Sequence, residues 1–306
     1  MLLQQALASG QLVITAEVTP PRGGDPSRTL AAAQALRGWV HAVNVTDGSR
    51  AVMRMASWAV CRLLLDAGIE PVLQLACRDR NRIALQADLL GAHALGLRNV
   101  LCLTGDPVRA GDQPGARPVN ELESVRLLQL VAQLNAGMDP VQGSLPDGPT
   151  ALFAGAAADP QSPSWSGLKS RMARKQQAGA RFIQTQMVTD GAALERFVKE
   201  IAEPLGLPVL AGVFLLKSAK NAAFINRVVP GANIPQSVVD RLAMASNPAE
   251  EGLAIAADQV ARYLESAQGV HLMAIKAEEK IPRILEMAGL RPEVPPIPVP
   301  ALSSSP

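Results

Sequence analysis

Short apolar runs recur along the chain, and each run is followed by a segment with helical spacing of its apolar residues. Most of the runs are nearly continuous in apolar residues, which is typical of strands covered on both faces. The pattern therefore predicts eight strands. They are LVITAEV (12–18), HAVNVT (41–46), PVLQLA (71–76), NVLCLT (99–104), TALFAG (150–155), RFIQTQ (181–186), PVLAGVF (208–214) and VHLMAI (270–275).

The segments between these runs carry apolar residues at a period of about 3.6, the spacing of amphipathic helices. Alternation of strand and helix predicts a parallel α/β sheet, and eight such units favour a closed (β/α)8 TIM barrel over an open sheet. The helical segments are 27–38, 53–68, 80–95, 122–135, 166–179, 191–203, 216–226 and 277–288.

Three stretches depart from this alternation. Residues 105–120 form a Gly- and Pro-rich loop after the fourth strand, and residues 228–268 predict extra helices, about two, between strands seven and eight. The last stretch, PEVPPIPVPALSSSP (292–306), is rich in Pro and Ser and predicts a disordered tail or an extended arm. We therefore expect one catalytic barrel over residues 1–291, followed by this tail.

Composition narrows the class of protein. Hydrophobic residues make up 48% of the chain and aromatic residues only 3%, so Leu, Val, Ile and Ala must fill the core. The net charge of +2 predicts neither a nucleic-acid nor a membrane partner. No apolar run reaches the length of about 18 residues that a membrane helix needs, and the first residues lack a charged leader. A cytoplasmic enzyme is the expectation.

The cysteines and histidines indicate no metal site. Cys61, Cys77 and Cys102 are far apart and lie in or beside apolar runs, which predicts buried, reduced thiols. The three histidines are scattered and lack the spacing of metal ligands.

Polar residues at the carboxyl ends of the strands are the candidates for chemistry, because barrel active sites are built there. Glu17, Asp106 and Gln186 hold such positions, and so does Thr46. From position alone, Glu17 is equally well explained as a carboxylate tied to a basic neighbour, and the Gly–Asp–Pro around Asp106 as a common turn. Gln74 on the third strand is either a core hydrogen-bonding group or a ligand contact.

Nucleotide-binding loops of the familiar kinds are missing from the sequence. No GxGxxG follows a strand, and neither a Walker loop nor a GxSxG occurs. A nicotinamide or flavin would therefore have to bind on top of the barrel.

Several segments together resemble methylenetetrahydrofolate reductases. They occur in the family's order and cover nearly the whole barrel, and 74–107 with its LTGDP ending is highly specific. The segments are AEVTPPRG (16–23), NVTDGS (44–49), QLACRDRNRIALQADLLGAHALGLRNVLCLTGDP (74–107), GARFIQTQMVTD (179–190), NAAFINRVVPGANIP (221–235) and GVHLMAI (269–275). They look closest to the bacterial reductase that also forms the second half of bifunctional homocysteine methyltransferase–reductase proteins.

The resemblance implies a TIM barrel that binds FAD and reduces 5,10-methylenetetrahydrofolate to 5-methyltetrahydrofolate with NADH or NADPH, commonly as a homo-oligomer. It implies that Glu17 is the general acid that protonates N10, and that Asp106 is a carboxylate beside flavin and pterin. Gln186 and Lys276 match folate-contacting positions. The implied cofactor contacts are Thr46, Ser49, Gln74, Thr104, Gly105, Asp106 and Lys175.

The chain departs from the family pattern on the flavin side. Gln74 stands where many members have His, Gly155 and Asp159 stand where some have Tyr and His, and Ala219 replaces an aromatic residue of some members. These departures leave open a flavin-independent reductase. A folate-dependent barrel methyltransferase and a non-catalytic folate-binding subunit also stay open, and an acid at Glu17 argues against the non-catalytic subunit.

Overall fold

Eight parallel strands close into a barrel in the computed structural model, which describes residues 2–229 and 231–297. Each strand pairs with the next one along the chain, and the last pairs with the first, so the predicted TIM barrel is confirmed. The strands are β1 (Val13–Val18), β2 (Ala42–Val45), β3 (Pro71–Ala76), β4 (Asn99–Leu103), β5 (Phe153–Ala158), β6 (Phe182–Met187), β7 (Val209–Phe214) and β8 (Gly269–Met273).

Helices surround the barrel in the expected alternation. They are α1 (Leu2–Ala8), α2 (Ser27–Gln34), α3 (Ser57–Asp66), α4 (Arg82–Ala94), α5 (Ser124–Asn135), α6 (Trp165–Gln177), α7 (Gly191–Phe197), α8 (Ala219–Val228), α9 (Gln236–Met244), α10 (Pro248–Tyr263) and α11 (Ile281–Met287). One π turn, Val198–Ala202, extends α7, and 3-10 turns occur at Ser49–Ala51, Cys77–Asp79, Val108–Ala110, Glu203–Leu205 and Glu278–Lys280. Among the described residues, no helix is both long enough and apolar enough to cross a membrane.

The main core lies between the barrel and its helices. On α5, Leu127, Val131 and Leu134 are spaced three or four residues apart, which puts them on one buried face against the strands. Burial of each such side chain stabilises the fold by about 1.5–3 kcal/mol. The even positions of β1, Ile14 and Ala16, belong to the same layer, so the odd positions of β1 face the barrel interior.

A second apolar cluster fills the amino-terminal half of the barrel interior. Leu3 and Leu7 of α1 pack against Val13, Leu101 and Leu210 from the strands, so α1 closes this end of the barrel. A third cluster is formed by α8, α9 and α10 with the carboxyl ends of β6, β7 and β8. The helices α9 and α10 are the two extra elements predicted between strands seven and eight.

Strand five is the one run whose predicted position is wrong. The sequence predicts it at 150–155, and the strand is Phe153–Ala158, because pairing with β4 begins only at Phe153, opposite Asn99. The residue before it, Leu152, is buried in the core without being part of the strand ladder. An additional short hairpin, Met138–Asp139 with Gly143–Ser144, follows α5 and is not predicted by the sequence pattern.

The first part of the tail runs along the amino-terminal side of the barrel in extended form. Val294 N donates to Gly38 O at 3.0 Å, and Ile297 N donates to Gly68 O at 3.3 Å. Residues 298–306 lie outside the described residues, and the division at residue 291 stays a prediction.

Candidate active site

A carboxylate and an imidazole lie together inside the barrel near its carboxyl end. Glu17 on β1 and His271 on β8 approach to 3.6 Å between Oε2 and Nε2. His271 is fully buried, and its Nδ1 lies 2.9 Å from the hydroxyl of Thr15, its register partner on β1. The Glu17 side chain is 14% exposed, so it stands between the closed interior and the open mouth.

Polar side chains continue across the interior at this level. Asn44 on β2 donates from Nδ2 to Oε1 of Gln184 on β6, at 2.7 Å across the barrel. Three buried atoms here have no hydrogen-bond partner among the described residues: Asn44 Oδ1, Thr46 Oγ1 and His271 Nε2. An unsatisfied buried polar atom costs about 1–3 kcal/mol, so these are positions where a polar ligand would gain most.

Asp106 is held on the exposed rim by the loop after β2. Its Oδ2 accepts a hydrogen bond from Arg50 N at 2.6 Å. Arg50 and Ala51 both have left-handed φ, 58° and 56°, a conformation that costs non-glycine residues of order 1 kcal/mol or more. The strained turn therefore aims a backbone donor at the Asp106 carboxylate.

Further along, the same two loops are clasped together. Asp112 accepts from Met53 N at 2.9 Å and pairs with Arg22 at 2.6 Å, which adds the loop after β1. At Gly111 an added Cβ would lie 1.8 Å from Ala51 O, so the loops pack without space for a side chain.

Asp47, at the end of β2, has structural partners. It accepts from Ala76 N at 2.9 Å and pairs with Arg80 at 2.6 Å. Arg80 also contacts Asp88 on α4 at 2.7 Å. This carboxylate therefore joins β2 to β3.

The other predicted cofactor contacts on this side are the ends of β2, β3 and β4. Thr46 and Gln74 are both buried, and the side-chain amide of Gln74 makes no hydrogen bond with the described residues. Ser49 and Thr104 are exposed, and Thr104 Oγ1 accepts from Ser124 N at 3.2 Å, at the start of α5. The strand order thus gathers these predicted contacts around one side of the mouth.

Lys175 reaches the barrel from α6. Its Nζ donates to Ala157 O at 2.6 Å, at the end of β5. Burial lowers its pKa, against the opposing influence of Glu123. The ammonium therefore already has a protein acceptor.

The predicted folate contacts lie on the opposite side of the mouth. Gln186 is exposed, because a bulge in β6 between Gln184 and Met187 breaks the alternation, and its Oε1 accepts from Met187 N at 3.0 Å. Lys276 is exposed beyond β8 with a φ of 57°. Its neighbour Ile275 accepts from Lys217 Nζ at 2.6 Å, which brings a second lysine to this part of the rim.

Two departures from the family pattern have a structural explanation. A Cβ on Gly155 would lie 2.2 Å from the ring of Phe182, which fills the interior at that level and stacks on Phe153. Asp159 accepts from Gln161 N at 2.9 Å and so caps its own loop. Gln161 in turn accepts from Thr189 N and Asp190 N, which joins the loops after β5 and β6.

Sequence reasoning missed three residues of this site. In the sequence His271 is only one of three scattered histidines, and no local pattern distinguishes Arg78 or Gln161. The partner of His271 on β1 is 256 residues away in sequence, and only strand register brings the two together. Within the described ranges, no group of three or more His, Cys, Asp or Glu side chains is arranged to hold a metal ion.

A cavity of about 720 Å³ lies at the other end of the barrel, between α1 and residues 289–295. It is lined by Gln5, His41 and Pro292 among others, and it is remote from the strand-end carboxylates. The candidate active site is therefore the carboxyl mouth of the barrel and not this cavity.

A closed (β/α)8 barrel with carboxylates, amides and a buried imidazole at the carboxyl ends of its strands has the layout of a barrel enzyme. Sequence comparison gives the family. The chain belongs to the methylenetetrahydrofolate reductase family, whose sequence model matches residues 2–289.

A sequence relative agrees with this assignment. The chain is 25% identical over 247 residues to a probable methylenetetrahydrofolate reductase (NADPH) of Caenorhabditis elegans, covering 77% of this chain but only 35% of that protein. It spans, then, about a third of the length of that relative.

Two solved structures share the fold. An uncharacterized Clostridium thermocellum protein that binds two copies of 5-methyl-5,6,7,8-tetrahydrofolic acid superposes with a TM-score of 0.65 at 13% identity, over 94% of this chain and 98% of that one. EDTA monooxygenase from Chelativorans sp. BNC1 gives a TM-score of 0.55 at 11% identity, over 96% of each chain. At these identities the likeness concerns the fold.

Proposed function

We propose that this chain reduces 5,10-methylenetetrahydrofolate to 5-methyltetrahydrofolate with NAD(P)H and FAD, and that Glu17 is the general acid. The observation that carries the proposal is the Glu17–His271 pair, 3.6 Å apart, at the boundary between the closed interior and the mouth. Membership of the reductase family favours this chemistry over a methyltransferase. A neighbour of the same fold that binds 5-methyl-5,6,7,8-tetrahydrofolic acid supports a folate as the ligand.

The reaction needs a proton and a hydride at different atoms. Opening the five-membered ring breaks the bond between N10 and the bridging carbon, and N10 must take a proton. Protonated Glu17 supplies that proton, and the carbon is left as an iminium at N5, which accepts the hydride from the reductant. A general acid in such a position contributes about 10²–10⁴-fold to the rate.

His271 supports the acid from within the barrel. Its Nδ1 lies 2.9 Å from the Thr15 hydroxyl, which fixes the ring, and its Nε2 faces Glu17 at 3.6 Å without a hydrogen-bond partner among the described residues. The imidazole is therefore the polar neighbour of the Glu17 carboxyl on the closed side of the barrel. Asp106 on the rim would stabilise the cationic iminium through the attraction of opposite charges.

The β2–β4 side of the mouth fits a flavin better than the β5 side does. Thr46 Oγ1 is buried without a hydrogen-bond partner among the described residues, and the largely buried Gln74 lies on the neighbouring strand. Ser49, Thr104 and Gly105 are exposed beside them. These residues would hold FAD, which when bound would relay hydride from the nicotinamide to the folate.

A flavin-independent reductase is the second candidate, and the β5 side favours it. Lys175 donates to Ala157 O, and Phe182 occupies the space beside Gly155. The grip that the family pattern implies for flavin is therefore incomplete on this side.

The visible spectrum of the purified protein, with and without added FAD, separates the two candidates. We expect flavin absorbance, and NAD(P)H oxidation that depends on methylenetetrahydrofolate. Deuterium from C4 of labelled NAD(P)H gives a second test. It should be largely lost to water if it passes through flavin, and fully retained in the methyl group if transfer is direct. Absence of any folate-dependent NAD(P)H oxidation, with or without FAD, would overturn both candidates.

Glu17→Gln tests the acid itself. This variant should lose folate reduction while it still binds folate and still exchanges electrons between NAD(P)H and flavin. Glu195→Gln, on the exposed surface of α7, is the matched control and should behave as the unmodified protein.

A further inference from the structure

Arg78 is a buried arginine in the turn after β3, and its side chain is only 5% exposed. Its Nε donates to Asp79 Oδ1 at 2.8 Å, and hydrogen bonding to Asp79 raises the pKa of the guanidinium. Since a buried charge is costly without partners, the contacts of this side chain show what it holds in place.

The guanidinium joins the two loops that form the rim. Nη1 donates to Gly48 O at 3.2 Å, in the loop after β2, and lies 3.5 Å from Asp106 O, in the loop after β4. The carbonyl of Arg78 accepts from Val119 N at 2.8 Å, near the far end of the loop that carries Asp106. One residue thus contacts both loops from below.

The two glycines of these loops are fitted to Arg78. A Cβ on Gly48 would lie 2.8 Å from Nη2 of Arg78, and a Cβ on Gly105 would lie 2.9 Å from its Cβ. Gly48 begins the strained turn whose Arg50 N–H reaches Asp106, and Gly105 precedes Asp106 directly. The backbone at Gly48, in the loop that binds the Asp106 carboxylate, and the backbone at Gly105 and Asp106 therefore both pack against this arginine.

We propose that Arg78 is a positioning residue, which sets the Asp106 carboxylate by fixing both its backbone and the Arg50 N–H that binds it. The Arg78 side chain itself contacts Asp79, Gly48 and Asp106. The consequence for catalysis rests on the proposed function, since it requires Asp106 to act in folate reduction, whereas the positioning itself does not.

Amide hydrogen exchange tests the positioning whatever the activity. In Arg78→Met, the Arg50 amide should exchange about tenfold faster, because its acceptor is no longer held in place. Asp106→Ala removes that acceptor and should give a similar increase. Arg78→Lys keeps a cationic donor and should fall between. An unchanged Arg50 amide in Arg78→Met overturns the proposal.

A double-mutant cycle tests the consequence. Arg78→Met should lower kcat for folate reduction by about 10- to 100-fold, the effect expected of a displacement near 1 Å. In the Asp106→Ala background the same change should matter less than about twofold, within the error of additivity. If the loss is equally large without Asp106, Arg78 acts only as a general support of the fold and the proposal is wrong.

Arg62→Met is the matched control, measured well below the melting temperature of each variant. Arg62 is also largely buried, pairs with Asp66 and donates to Leu95 O at 2.8 Å, but it lies on α3 away from the rim. It should lose stability without losing kcat. If the unmodified protein shows no folate reduction at all, the proposed function fails, and the exchange experiment still decides the role of Arg78.

Discussion

Nε2 of His271 lies 3.6 Å from Oε2 of Glu17, and this nitrogen has no hydrogen-bond partner among the described residues. The two side chains come from opposite ends of the chain and meet where β8 closes on β1. Thr15 completes the arrangement on the far side of the imidazole. Proton transfer at Glu17 is therefore expected to depend on a residue that never reaches the mouth.

Replacing His271 by Asn tests this dependence. We expect kcat to fall at least tenfold with little change in KM, because a general acid contributes about 10²–10⁴-fold and would lose part of its support. Thr15→Val should give a smaller loss of kcat. His41→Asn is the control, since His41 lies at the amino-terminal end, where it accepts from Ile14 N. Equal losses in the His41 and His271 variants would contradict the assignment.

Gly155→Ala probes the packing that replaces a family side chain. The new methyl group would lie 2.2 Å from the Phe182 ring, so the variant should be destabilised by about 1–3 kcal/mol in chemical denaturation. Phe182→Leu in the same chain should recover part of that loss by making space. If Gly155→Ala is as stable as the unmodified protein, the ring does not fill this part of the interior.

The three thiols should be inert in the folded protein. All three are free and buried, as the sequence predicted, and burial raises the pKa of Cys77 to about 12. Burial also raises the pKa of Cys61 and of Cys102. A thiol reagent at pH 8 should therefore label none of them in native protein and all three in denaturant. Rapid labelling under native conditions would show that one thiol is accessible.

Lys175 should make the stability of the folded protein depend on pH in the alkaline range. Because burial lowers its pKa, the folded chain releases this proton at a lower pH than the unfolded chain. Stability relative to a Lys175→Met variant should therefore rise as the pH increases toward the ordinary lysine pKa of about 10.4. Denaturation of both proteins at several pH values measures the difference. A constant difference from pH 7 to about 10.4 would argue against a buried ammonium.

The fold could be predicted from the sequence because strand-length apolar runs and helical periodicity are local signals. The error at strand five shows the limit, since Thr150 to Leu152 are apolar enough to resemble a strand but precede the first pairing with β4. Gly155 and the alanines around it carry little strand propensity of their own.

The site was predicted less completely, for a physical reason. Glu17 and Asp106 end their strands, and strand ends are visible in sequence. Arg78 and His271 act through contacts that strand register or loop packing creates between distant segments. No local sequence pattern around either residue indicates which distant residue it contacts. The roles of Glu17, Asp106 and Gln186 remain predictions, as does the homo-oligomer.

Helix α1 seals the amino-terminal end of the barrel with Leu3 and Leu7. Among the described residues, the interior is consequently closed at the amino-terminal end and open at the carboxyl ends of the strands. Reductant and folate would therefore have to reach the interior through the same mouth. Competition for this mouth then means that a high concentration of either reactant slows the binding of the other.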